Sequence, residues 1–310
     1  MFYKTTRLYF HPWEDKDAAE LFELAKNPNV GPRAGWPPHT SVEDSLGIIH
    51  EVLAEPENYA IRRIEDDVLV GCIGLMFGNR AKTEAEKKTN LEIGYWLGEE
   101  FWGKGYMPEA VTEAIRYAFE DLNMEKVWCA YFDGNIQSKS VQEKVGFVYE
   151  FTLDKVKTMC GEDDIRVEKV NLLTRDMYFA KRCLVDEGKT CVLQKGDKQE
   201  TSEFRGVKPL LNWLESGEDY EGFVAADKVV GKAAAYLYVL LKVSRVHANI
   251  ISKPAYDTLV KYGIKVSYDT MVDAIRNRTN TGFCPMESAV IEVDDPHDAL
   301  EVIKNTLKQL

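Results

Sequence analysis

In residues 91–114, LEIGYWLGEEFWGKGYMPEAVTEA, a strand-like alternation runs into a glycine turn, Gly103-Lys104-Gly105, and then into an amphipathic helical pattern. Glycines let such a turn adopt backbone angles that other residues resist, and they let a ligand come close to the main chain. The free amides at the start of the following helix, reinforced by its dipole, suit a pyrophosphate. Upstream, alternation sends Leu91, Ile93 and Tyr95 to one face of the strand and Glu92 and Trp96 to the other. A carboxylate beside a tryptophan in a cleft is pushed toward its neutral form and can take a proton. Two other roles are open to Glu92: holding a cationic substrate, or making a structural hydrogen bond.

These residues need a framework, and the pattern around them supplies one. Residues 5–10 read as a strand and 17–25 as a helix. Residues 41–53 form a second helix with Ser41 as N-cap and acids in its first turn. Two strands joined at Asp66-Asp67 follow, then a polar stretch over 78–90, the strand of Glu92, and a helix over 107–119. A strand at 127–132, a helix at 137–144 and closing strands at 147–156 and 165–173 complete the first unit. A second begins near Arg175 and alternates again: helix 176–185, strand 190–196, helix 209–214, strand 222–230, helix 232–241, strand 246–252, helix 255–262 and strand 264–268. A short helix at 272–275, a Cys-Pro segment and a helix at 296–310 end it. No fixed-period repeat runs through either half.

At 310 residues the chain exceeds one ordinary hydrophobic core, and 45% hydrophobic with 11% aromatic content fits a folded globular protein. The longest apolar run, residues 233–241, is too short to cross a bilayer, and no charged-then-apolar leader opens the chain, so a cytoplasmic location and no membrane partner are expected. The six cysteines are scattered without C-x-x-C spacing and read as reduced, mostly buried thiols; no metal is expected. A net charge of −12 disfavours nucleic acid as a partner and leans toward cationic substrates such as amines and basic peptides.

The whole stretch 91–114 resembles the acetyl-CoA-binding motif of GNAT acetyltransferases, in the RimJ/RimL-like branch of ribosomal-protein N-terminal acetyltransferases. Three further segments agree in order: TTRLYFHPWEDKDAAELFEL, YAIRRIEDDVLVGCIGL and VWCAYFDGNIQSKSVQEKVGFVYEF. The resemblance implies domains at 1–178 and 179–310, acetyl-CoA as acetyl donor, and an amine or peptide N-terminus as acceptor. It places the amides of Gly103, Lys104, Gly105, Tyr106 and Met107 on the CoA pyrophosphate, and Asn135 and Ser138 beside the pantetheine arm and thioester. A splay between the fourth and fifth strands would admit the thioester, with the local backbone of Ile93 to Trp96, Tyr95 included, as a small oxyanion hole. Glu92 is the candidate base and Ser138 the candidate acid, because the family's usual tyrosine seven residues after the asparagine is Gln142 here. Ser138 also reads as a helix-start serine that satisfies backbone amides. Trp36, in the Trp36-Pro37-Pro38-His39 loop, and Glu150 would line the acceptor groove, and Glu109 complements the helix dipole. The family's Gln or Arg three residues before the first glycine is Glu100, which gives no help with phosphate. Binding without turnover, by an acyl-CoA or nucleotide sensor, is the competing function.

The second half resembles an uncharacterised bacterial domain of cytidine-deaminase-like fold. The places of that fold's zinc motifs read Lys232-Ala233-Ala234 and Pro254-Ala255-Tyr256-Asp257-Thr258, without zinc ligands, and His247-Ala248-Asn249 falls within a strand. A nucleotide or phosphorylated metabolite is the ligand class considered, with Gly231-Lys232 at a helix start and Lys228, Ser252 and Lys253 near it; Cys284 precedes another helix start. The expected fold class is α/β (α+β) in two domains, a mixed, mainly antiparallel sheet flanked by helices followed by a three-layer α/β domain. Nothing in the pattern specifies an oligomeric state.

Overall fold

The computed structural model describes residues 4–277, 279 and 281–309. The chain divides into two compact units, Met1–Arg175 and Asp176–Leu310.

The first unit is built on a seven-stranded sheet in the order β1-β2-β3-β4-β5-β7-β6. In chain order the elements are β1 (Leu8–Pro12), α1 (Ala18–Ala25), α2 (Gly31–Ala34), α3 (Val42–Ile48), β2 (Asn58–Arg63), β3 (Leu69–Phe77), α4 (Glu86–Thr89), β4 (Asn90–Leu97), α5 (Tyr106–Arg116), β5 (Lys126–Phe132), α6 (Ile136–Lys144), β6 (Val148–Lys157) and β7 (Ile165–Thr174). Every neighbouring pair is antiparallel except β4 and β5. The expected mixed, mainly antiparallel sheet is therefore present. Ser41 caps α3 through the amide of Asp44, and α3 gives way at Ile49 to a wider turn that reaches Leu53. The one-turn helices α2 and α4 escape the pattern because four residues are too few to show a period.

Apolar positions explain how the helices seat. In α5, Met107, Ala110, Val111, Ala114 and Ile115 are buried on one stripe, at the spacing of a helix lying on a sheet. On β4, Leu91 and Ile93 are fully buried.

The second unit holds a five-stranded sheet, β12-β11-β10-β8-β9. Its elements are α7 (Arg175–Asp186), β8 (Cys191–Lys195), β9 (Lys198–Ser202), α8 (Lys208–Glu215), β10 (Val224–Val230), α9 (Lys232–Leu240), β11 (Arg245–Ser252), α10 (Lys253–Lys261), β12 (Lys265–Val272), α11 (Pro285–Ala289) and α12 (Pro296–Leu307). Strands β10, β11 and β12 are parallel through the helical crossovers α9 and α10, while β8 and β9 form an antiparallel hairpin. One sequence expectation gives way here, and one strand has no counterpart in the pattern. The strand expected at 264–268 runs on to Val272 in register with β11, in place of a helix at 272–275. The polar sequence KQETS forms β9 because it is an edge strand, with no second neighbour to demand apolar residues. The core gathers Tyr238, Leu237, Leu193, Ala225, Val246 and Leu259 under α9 and α10.

Candidate active site

The parallel ladder between β4 and β5 stops early. Asn90, Leu91 and Glu92 pair with Lys126, Val127 and Trp128, and no pair follows, although β4 continues to Leu97 and β5 to Phe132. On their outer edges both strands stay paired, β4 with β3 as far as Leu97 and β5 with β7 as far as Phe132. The sheet thus opens between two strands that are each held from behind. The Ile93 carbonyl accepts the Cys129 thiol at 3.2 Å, and the Leu97 carbonyl accepts the Trp102 indole at 2.9 Å. Backbone groups alternate along a strand, so the amide and carbonyl of Tyr95, lying between them, face the same gap with no strand opposite.

A cavity of about 710 Å³ fills the opening. Its walls include Glu92 to Leu97 of β4, Gly103 and Gly105 to Pro108 at the start of α5, Ala130 to Phe132 of β5, Asn135 to Ser138 at the start of α6, and Glu168 of β7. Of the residues singled out by sequence, Trp36, Glu92, Ile93, Tyr95, Gly103, Gly105, Tyr106, Met107, Asn135 and Ser138 are brought together here. Lys104 turns its ammonium over the Phe101 ring, and its carbonyl accepts Arg7. Glu150 stands at a register shift in β6 and is not part of the cavity wall.

At the glycine turn, Gly103 and Gly105 have φ of +73° and +77°, a region L residues avoid. Nothing lies within 4 Å of where a Gly103 side chain would start, and only Arg7 Nη2, at 3.5 Å, comes near Gly105. The backbone is open to a ligand, as an anion cradle requires. Arg33 and Lys144 also line the cavity and supply positive charge that Glu100 does not. Arg33 lies over the Trp102 ring at 5.1 Å and donates to Gln137. The turn is anchored by Glu109, which accepts from Thr5 and from the amide and side chain of Arg7. Partial burial raises the Glu109 carboxyl, and these donors more than offset it.

Asn135 caps α6, its side-chain oxygen accepting the Ser138 amide at 3.2 Å while its nitrogen donates to the Arg33 carbonyl. Ser138 Oγ lies 3.0 Å from the Tyr95 hydroxyl and accepts the Gln142 amide at 3.2 Å. Burial holds the Tyr95 phenol well above its ordinary pKa, with the Cys129 thiol adding to the effect.

Across the gap Glu92 is 5% exposed. Asn79 donates to it, and the Arg80 guanidinium meets it at 2.8 Å and reaches Glu168 at 2.9 Å. Burial raises the Glu92 pKa, and Arg80 opposes the rise. Sequence reading missed both partners. Arg80 sits in the polar stretch after β3, where no periodicity applies, and only pairing β7 with β5 carries Glu168 to the cavity. Trp96, on the Glu92 face, meets Trp36 edge-on at 5.7 Å and lies 6.5 Å from Trp13. Trp36 therefore pins its loop and lines the cavity at once.

A family model described as "Acetyltransferase (GNAT) domain" matches residues 7–148. The first half of the chain is a GNAT acetyltransferase domain. A model described as "Domain of unknown function (DUF1893)" matches residues 179–307, so the second half is a DUF1893 domain. The GNAT domain is 44% identical over 59 residues to "Putative ribosomal N-acetyltransferase YdaF" of Bacillus subtilis (strain 168), a match covering 19% of this chain and 32% of that protein. It is 28% identical over 151 residues to "Uncharacterized N-acetyltransferase p20" of Bacillus licheniformis, covering 47% of this chain and 82% of that one. The DUF1893 domain is similar to a crystal structure of a DUF1893 family protein from Thermotoga maritima, at 30% identity and a TM-score of 0.39, covering 43% of this chain and 89% of that chain.

In the DUF1893 domain the residues considered for an anion are engaged internally. The Glu287 carboxylate accepts the Lys232 amide at 3.1 Å, the Ile275 amide at 2.6 Å and the Ser252 hydroxyl. Lys228 donates to the Gly188 carbonyl, and Lys253 pairs with Asp257. The start of α9 is thus occupied by a carboxylate of the same chain, which corrects the expectation of an open anion site there. Cys284 is the residue before α11. His247 is buried in β11 beside Ser267. Among the described residues no group of three or more His, Cys, Asp or Glu is placed to hold a metal, and no helix is long and apolar enough to cross a membrane.

Proposed function

We propose that the chain is an acetyl-CoA-dependent N-acetyltransferase whose acceptor is a primary amine, either a protein N-terminus or a small amine. The observation that carries this reading is the gap between β4 and β5. One cavity there joins the open glycine turn and Ser138 to two carboxylates, Glu92 and Glu168. The acetyl thioester, when bound, supplies an electrophilic carbonyl. The amides at the start of α5, with Arg33 and Lys144, suit a pyrophosphate. The Tyr95 amide, facing the gap, suits the oxygen on which charge develops.

Glu92 and Glu168 carry two negative charges against the single charge of Arg80. The surplus favours an acceptor that arrives as an ammonium ion. Glu92, raised by burial and reachable from the cavity, takes the proton that the amine must lose. Ser138 presents a hydroxyl to the departing sulfur. Binding without turnover is the second reading, and the Arg80–Glu92 ion pair favours it by tying up the base.

Calorimetric titration of acetyl-CoA into the full chain, followed by thiol release with a panel of amines and peptides, tests the proposal. Binding with turnover supports the enzyme. Binding without turnover on every acceptor supports the second reading, and failure to bind removes both.

A further inference from the structure

The groups around Ser138 constrain which way its proton can point. Gln142 is fully buried on α6. Its amide nitrogen donates to the Ala130 carbonyl at 3.0 Å and to Ser138 Oγ at 3.2 Å, and its amide oxygen accepts Asn171 at 2.8 Å. A carbonyl can only accept, so Ala130 fixes the nitrogen end of Gln142 on this side and rules out the flipped amide. Ser138 Oγ therefore has one lone pair taken by Gln142.

The Tyr95 hydroxyl lies 3.0 Å from the same oxygen and 3.3 Å from the Ser138 carbonyl. When it donates to Oγ, the second lone pair is taken as well. The serine's single proton then has one direction left, into the cavity that Ser138 and Tyr95 both line. An anionic sulfur there would select this arrangement, since it needs a donor.

We infer that Gln142 and Tyr95 are positioning residues that saturate the acceptor sites of Ser138 and aim its hydroxyl proton at a thiolate in the cavity. The inference rests on the proposed role of Ser138 toward the CoA sulfur and adds two residues to it. It also gives Gln142 a function. The position that bears no acid itself orients the hydroxyl of its neighbour one turn earlier, and a phenol reaches the site from β4 instead of from α6.

The probe is CoA itself, whose bound thiol pKa is read from thiolate ultraviolet absorbance in the full chain, alongside steady-state kinetics with acetyl-CoA. Gln142→Glu keeps the size of the side chain but turns the donor facing Ser138 into an acceptor, so the serine would donate to it and abandon the sulfur. The bound thiol pKa should rise by about one unit and kcat fall about tenfold to a hundredfold, with KM for acetyl-CoA held within about twofold. Tyr95→Phe, which removes one donor without adding a buried acceptor, should move both readouts the same way by about threefold to tenfold. In a Ser138→Ala background neither change should have a further effect. An unmoved thiol pKa in both variants, or equal effects with and without Ser138, overturns the inference while leaving CoA binding and the proposed function standing. If the parent chain fails to bind CoA, the proposed function falls first and this inference with it.

Discussion

Glu92 on β4 and Glu168 on β7 share one guanidinium, that of Arg80, at 2.8 and 2.9 Å. A cation held against a carboxylate favours its ionised form, so Arg80 opposes protonation of Glu92. Burial raises the Glu92 carboxyl, Arg80 draws it down, and Glu168 pushes it up. A base works in its ionised form, so activity should rise with pH as Glu92 loses its proton. Arg80→Met removes the charge that draws it down, and the rising limb of kcat/KM should move to higher pH by about one unit or more. The pH–rate profiles of parent and variant measure this directly. A limb that stays in place would show that Glu92 does not accept the proton.

The glycine turn gives a second expectation. Gly105 precedes α5 with φ of +77°, and a side chain there would start 3.5 Å from Arg7. An alanine fits in space but pays the left-handed backbone cost of about 1–2 kcal/mol or shifts the turn. Gly105→Ala should therefore weaken acetyl-CoA binding about tenfold and lower the stability of the GNAT domain by about 1 kcal/mol. Calorimetry and urea melts read the two separately. Unchanged affinity would place the anion elsewhere.

Local pattern carried much of this fold, and its limits are physical. The strand of Glu92, the turn at Gly103 and Gly105, and the helix over Met107 were legible because alternation, glycine and apolar spacing all act within a few residues. The expected splay could be anticipated from the GNAT resemblance, and it appears as the ladder that ends at Glu92 and Trp128. Arg80 and Glu168 were not legible, because their meeting depends on a loop conformation and on β7 pairing with β5 across the connection through α6 and β6. The same holds for Glu287, which is 55 residues from Lys232 in sequence yet accepts the Lys232 amide at the start of α9. A helix start looks like an open anion site in sequence whether or not the chain later fills it.

Filling that site has a measurable consequence. Glu287 is 3% exposed and accepts from the amides of Lys232 and Ile275 and from Ser252. Glu287→Ala would leave all three donors without this acceptor, Ser252 fully buried and the two amides partly so, at about 1–3 kcal/mol for each group that water does not reach. The DUF1893 domain should lose at least about 3 kcal/mol in a urea melt of the full chain, and Glu287→Gln, which keeps one acceptor oxygen, should lose less. Equal, small losses in both would mean that the start of α9 is satisfied some other way.

Two buried groups in the same domain set opposing pH dependences. Asp227 accepts from Tyr238 at 2.7 Å and from the Val229 amide at 2.9 Å, yet burial pushes its carboxyl up from 3.8 to about 6. The folded state therefore holds this proton more tightly than the unfolded chain does. Its stabilising effect is full below pH 3.8 and is lost as pH rises to about 6. His247 behaves in the opposite sense: burial first, then the nearby Lys181, pushes it down from 6.5 to about 3. The stability it brings is full above 6.5 and is lost as pH falls toward 3. Between pH 4 and 6 the two slopes oppose each other at about 1.4 kcal/mol per pH unit each, so the parent domain should be nearly insensitive to pH there. Asp227→Asn should unmask the histidine, giving a stability that rises with pH across this window. His247→Gln should unmask the aspartate, giving one that falls. Urea midpoints of the DUF1893 transition at pH 4, 5 and 6 in the parent and both variants decide it. Parallel curves for all three would show that neither group changes its protonation on folding.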